Sequence, residues 1–419
     1  GGAQYAAGDQ LVDIGSEWVT RDAGYGSLKA ENLNNKVVVP KSASTAAEIN
    51  EVISSVPNGT EIEISAGEYT LGEEIRPQGK SNIWLHGQGM YATTLRVADQ
   101  TSINGLNIVN TDRFRVSHLE VNGNKDAQTD ENNESLQCGV RLGREQGDAG
   151  AASWLQADHI YAHDTINANF RTSAEGGSIE NIRLQNNRAE RCKQASIGMP
   201  AHNYANSGDQ GTINNLKILG CYGEDGGQLG VELSGGVKEA VVAFTEIYTP
   251  KNGAAFASRP TPNANHRLIG NHAEGASGQG FAPQAEGTTL IGCVSKNSST
   301  NGFDLLSSNI RSIGCVSDGA SEYGFRLGGS RTAATSCVSY GSGGIGMRLL
   351  GNHSTAENCW TIGSGLGGIV AWGGNDVNII NSHIFDSANA GVKTVGGNQR
   401  ATITNVSGSG NGSGLVVLE

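Results

Sequence analysis

Four short stretches decide the architecture: Gly292-Cys293-Val294-Ser295, Gly314-Cys315-Val316-Ser317, Ser336-Cys337-Val338-Ser339 and Asn358-Cys359-Trp360-Thr361. Each cysteine follows the one before it by 22 residues. Nine residues after each comes a glycine that opens a short apolar segment, at Gly302, Gly324, Gly346 and Gly368. The same interval joins Cys221 to Gly230, Asn271 to Gly280, Ser382 to Gly391 and Asn405 to Gly414. A fixed period of this size marks a stacked repeat. Strands of two to five residues between Gly, Asn and Ser turns suit one coil of a parallel β-helix. No run sustains the 3.6-residue period that a helical solenoid requires. The expected fold is therefore all-β, a solenoid of about 22–25 residues per coil.

Stacked coils lie about 4.8 Å apart, so one column repeats one kind of side chain. The Asn/Cys/Ser column reads as a ladder of small inward or turn-lining groups, a role that suits the small, apolar cysteine. CxxC pairs and interleaved histidines are missing, so no zinc site is expected. Seven cysteines on separate coils force no disulfide framework. With 61 glycines and 8 phenylalanines, turns dominate and the core must be largely aliphatic. A net charge of −12 argues against a nucleic-acid partner. No apolar run reaches the roughly 18 residues of a membrane span.

Residues 1–36 show no period and read as an irregular N-terminal arm anchored by Trp18. Residues 37–419 read as a single β-helix domain. Within it, Thr45-Ala-Ala-Glu48 is a capping box opening a helix over 45–56, with Ile49, Val52, Ile53 and Val56 on one face. Such a helix is expected to cover the lower end of the stack, where strand edges would otherwise be bare. The chain stops inside a repeat at Gly414-Leu-Val-Val-Leu-Glu419. The upper edge is expected to be covered by the arm, by a partner (an oligomer through the last coil is one form) or by a further domain.

The stretches NGTEIEISAGEYTL (58–71), IWLHGQGMYATTLRV (83–97) and LEVNGNKD (119–126) resemble the pectate-lyase-like superfamily, in particular polysaccharide lyases and mannuronan C-5 epimerases. The resemblance implies a right-handed parallel β-helix and a secreted protein acting on an acidic polysaccharide. The epimerase signature Tyr-Gly-Phe-Asp-Pro-His-Glu is missing. The nearest text, Asn301-Gly-Phe-Asp-Leu-Leu-Ser307, lacks its His and Glu.

Alignment of the coils on the glycine-opened strands gives an outward column: Arg141, Arg171, Gly198, Glu232, Ala257, Ala282, Asp304, Arg326, Arg348, an apolar step, then Lys393. Its neighbours on each strand are apolar and face in, so the column is expected to face solvent. Insertions at 143–153, 200–211 and 258–265 follow this strand and should wall a groove. Elimination on a uronic-acid polymer needs a cation to neutralise the carboxylate, a base, and an acid for the leaving oxygen. Arg171 or Arg259 can neutralise, His202 or Tyr204 can serve as base or acid, and Glu232 lies beside them. Arg141, Asp304 and Arg326 are the expected substrate-binding residues. The expected function is a polysaccharide lyase. The alternatives are a glycoside hydrolase or C-5 epimerase on the same scaffold, or a tailspike- or adhesin-like module that binds glycans without cleaving them. Asp126, Asp130, Glu131 and Glu134 crowd the 124–135 loop; a solvated loop is the expected reading, with calcium as the alternative.

Overall fold

The computed structural model describes residues 35–42, 44–129, 137–145, 152–174, 177–200, 211–260, 264–396 and 400–418, with the short antiparallel pair Val12–Asp13 and Trp18–Val19. Thirteen parallel strands form sheet I, from Leu106–Val109 at the bottom to Val416–Leu418 at the top. Sheet II (for example Arg267–Ile269 and Thr289–Ile291) and sheet III (for example His272–Glu274 and Val294–Lys296) share a continuous ladder because the long lower strands, Asp112–Asn122 and Ala152–His163, run round the corner between them. The chain passes from sheet II to III to I and back, making a right-handed parallel β-helix of about 14 turns.

The corner from sheet II to III places one residue per coil in the left-handed region, for example Asn186 (φ 52°), Gly270 (φ 60°), Gly292 (φ 59°) and Asn358 (φ 53°). Glycine and asparagine reach that region at least cost, so they recur there. The next residue points inward and is the cysteine column. Cys293, Cys315, Cys337 and Cys359 are fully buried and unpaired. Cys293 Sγ donates to Leu268 O (3.3 Å), Cys337 Sγ to Ser312 O (3.3 Å) and Cys359 Sγ to Ala334 O (3.2 Å), tying each coil to the one below. Asn271 fills the same place with two bonds, to Val242 O (2.8 Å) and from Thr245 N (3.0 Å).

The glycine nine residues on has a steric cause. A Cβ on Gly302 would lie 2.1 Å from Ser317 Oγ and 2.8 Å from Gly324 O. The next residue of the strand points into the core and builds the aromatic column Phe256, Phe281, Phe303 and Phe325. Its ring centroids step by 4.8, 4.8 and 4.5 Å with planes within 4° of parallel. In the last coil the period slips by one: Val406, not Asn405, continues the small-residue column, because His383 pairs with Ser407. Asn405 takes the left-handed corner instead (φ 52°).

Helix α1 (Ala46–Ser55) opens with the expected capping box: Thr45 Oγ1 accepts from Glu48 N (3.4 Å) and Glu48 accepts from Thr45 N (3.0 Å). Ile49 and Ile53 are buried in the core that Val39, Ile62 and Tyr69 share. The helix leaves the chain just after Asn35–Val39, the lowest strand of sheet II, so it covers the lower end of the core.

Candidate functional site

The outward column of sheet I exists in the register expected. Arg141 pairs with Arg171, Arg171 with Gly198, Gly198 with Glu232, Glu232 with Ala257 and Ala257 with Ala282. The row continues through Asp304, Arg326, Arg348, Val370 and Lys393. The expectation that it faces solvent needs correction. Arg141, Arg171 and Asp304 project from the outer face of the sheet, yet are only 3–4 % exposed. Neighbouring polar side chains close over Arg141 and Asp304.

At the bottom of the row this covering is a charged network. Arg141 Nη1 donates to Glu145 (2.9 Å), and its Nε and Nη2 donate to Ser173 Oγ (3.2 and 3.0 Å). Arg76 donates to the second oxygen of Glu145. Glu74 accepts from Asn104 (2.7 Å) and Asn107 (2.6 Å), and Asn107 also reaches Glu145 (3.3 Å). None of Glu74, Arg76, Asn104, Asn107 and Glu145 carries a sequence motif. They are joined across separations of up to 69 residues, which only the coil register reveals.

Three coils up the sheet from Arg141, Glu232 forms an ion pair with Arg259 Nε (3.1 Å). Three coils higher again, Asp304 faces Arg326 (3.3 Å). Burial pushes the Asp304 carboxyl above its ordinary range, against the pull of Arg326. The structure thus gathers Arg141, Arg171, Glu232 and Arg259 in one stretch of the row, with Asp304 and Arg326 further along it. The insertions at 143–153, 200–211 and 258–265 leave the ends of alternate sheet I strands, Val140–Arg144, Ala195–Pro200 and Phe256–Ser258. His202 and Tyr204 lie in the 201–210 segment, outside the described residues, as do Asp130, Glu131 and Glu134 of the acidic loop.

Three other polar clusters occupy sheets II and III. Asp158 accepts two bonds from Arg115 (both 2.8 Å) and one from His159 (3.0 Å). Burial alone would raise its carboxyl; these donors outweigh that and hold it at about 2. On sheet III, His163 bridges Glu120 (2.9 Å) and Asp164 (2.7 Å), and Arg191 reinforces Asp164 (2.9 Å). Glu61, Glu63 and His86 converge as a cation-binding set would. Lys36 Nζ already sits on both carboxylates, at 3.1 and 2.6 Å, so its ammonium supplies the positive charge there.

No family model matches the sequence, and no curated protein aligns with it. Solved structures do share the fold. The N-terminal fragment of bacteriophage phi29 gene product 12 superposes with a TM-score of 0.68 at 15 % identity, over 87 % of this chain and 68 % of that one. A GH87 α-1,3-glucanase catalytic domain in complex with tetrasaccharides gives 0.50 at 13 % identity, over 91 % of this chain and 66 % of that one. The A-module of the Azotobacter vinelandii mannuronan C-5 epimerase AlgE6 gives 0.49 at 12 % identity, over 87 % of this chain and 95 % of that one. At such identities the likeness speaks of the scaffold: the chain shares its right-handed parallel β-helix with proteins that include carbohydrate-active enzymes. No helix among the described residues is long and apolar enough to cross a membrane.

Proposed function

We propose that this protein acts outside the cell on an acidic polysaccharide, which it holds along the outer face of sheet I and cleaves by β-elimination. The observation that carries the reading is the row itself. Arg141, Arg171, Glu232 with Arg259, and then Arg326 and Arg348 follow one another in register on one face of a protein whose net charge is −12. A guanidinium matches a carboxylate with two parallel bonds. In the proposed reaction Arg171 or the more exposed Arg259 neutralises the uronate carboxylate, which acidifies the adjacent ring C–H. A base takes that proton, the electron pair forms the ring C=C bond, and the glycosidic oxygen leaves with a proton from an acid. His202 and Tyr204 are assigned base and acid from the sequence. Arg259 is also assigned to orient Glu232.

Hydrolysis fits the row less well. Glycosidases need two carboxyl groups about 5–9.5 Å apart. Glu232 and Asp304 stand three coils apart, roughly 14 Å. Glu74 and Glu145 do come close, since one Asn107 nitrogen reaches both, but each is already held by several donors. Binding without cleavage is the second reading. It is favoured by the length of the charged row, which runs on well past the few coils one bond cleavage requires.

The test is incubation with alginate, pectate and glycosaminoglycans. Ultraviolet absorbance from the new conjugated C=C bond is the expected result. It should fall at least about a hundredfold in Arg171→Ala and His202→Ala, equivalent to some 3 kcal/mol of barrier. New reducing ends without that absorbance would mean hydrolysis, and binding without either would leave the second reading.

A further inference from the structure

Arg348 lies between two aromatic rings. Its guanidinium lies 5.0 Å from the ring of Tyr323 on the coil below and 4.8 Å from the ring of Trp372 on the coil above. One nitrogen donates to Tyr323 Oη at 2.6 Å. Two aromatic faces and that bond hold the side chain in one pose, so little rotamer freedom is left to lose when a ligand binds. Among the described residues no carboxylate pairs with it, and its buried Nε–H has no acceptor. Arg326, one coil below, is by contrast turned toward Asp304. Trp372 is 46 % exposed, an indole open to solvent beside a fixed cation.

An arginine ordered by aromatic stacking but lacking an acid is arranged to meet an anion that comes from outside. A pyranose bearing a carboxylate or sulfate offers both things this place asks for: an anionic fork for the guanidinium, and a C–H face for the indole. We propose that Arg348, Tyr323 and Trp372 form a distal subsite that takes one anionic sugar of an acidic polysaccharide. The inference rests on the reading above and adds a second foothold to it. Arg348 is seven coils from Arg171, about 34 Å along the stack. The subsite therefore belongs to long chains, and short oligosaccharides cannot span from it to Arg171.

The experiment measures dissociation constants of the intact protein for polygalacturonate, which carries only carboxylates, and for dextran sulfate, which carries only sulfates. Neutral dextran is the control. The wild type is expected to bind one or both anionic polymers, and the polymer that loses affinity in the variants names the anion. Arg348→Ala should weaken that binding about tenfold, the scale of one charge-assisted pair. Arg348→Lys keeps the charge without the planar fork and should recover only part of the loss. Trp372→Ala should weaken binding less. Wild-type affinity in Arg348→Ala would overturn the subsite. If Arg171→Ala still abolished cleavage in that case, the reading of the Arg171 end would stand alone. Loss of affinity in Arg348→Ala with no cleavage by the wild type would keep the subsite and remove the lyase. Failure of the wild type to bind either anionic polymer would overturn the subsite.

Discussion

Asp158 shows what one residue can cost or contribute in this scaffold. It is 1 % exposed and carries a charge, which is tolerable because Arg115 offers two bonds and His159 and Gln156 one each. Arg115 in turn lies over the indole of Trp84 at 4.6 Å. The carboxyl is held at about 2, below its ordinary range, so the folded state binds fewer protons than the unfolded chain. Its contribution is complete above about pH 4 and is lost as pH falls toward 2. Asp158→Asn should therefore cost about 2–3 kcal/mol at neutral pH, with the gap to wild type closing between about pH 4 and 2. Urea denaturation across that range tests this, and a gap that stays constant to pH 2 would contradict it.

At the scale of elements, the stacked columns carry the stability. Phe303 sits between Phe281 and Phe325, with ring centroids 4.8 and 4.5 Å away. Phe303→Ala should cost about 3–5 kcal/mol because the coils above and below cannot collapse into the gap. Phe303→Leu should cost about 1–2 kcal/mol. Equal unfolding midpoints for the two variants would show that the column relaxes freely. Legibility also divides at this scale. The coil, its cysteine column, its glycine and its outward row could be read directly, because in-register stacking turns a linear period into a spatial column. The capping helix could be read from Thr45 and Glu48, since a cap is local. The burial of Arg141 and Arg171 could not; for Arg141 the covering comes from Glu145 at the end of its own strand and Ser173 on the next coil, side chains that the repeat itself does not specify. Tyr323 and Trp372 were hidden for a similar reason. Each falls outside the aligned column, and they meet around Arg348 only through the offset of neighbouring coils.

For the whole molecule, the consequence of linear stacking is that each coil is stabilised chiefly by the two beside it. His266 adds a pH dependence to the middle of the stack. Burial draws its imidazole down to about 4, so the folded state favours the neutral ring, and stability drains as pH falls from about 6.5 to about 4. The four sulfur atoms at one-coil intervals can report how the stack opens. A buried sulfhydryl group is inert to alkylation until its own coil opens. In mild denaturant Cys293, Cys315, Cys337 and Cys359 should each be labelled by iodoacetamide at its own rate, set by the opening of its own coil. Simultaneous labelling of all four would mean that the stack opens as one body. A graded series would give the free energy of adding each turn from the reaction times of the molecule's own side chains.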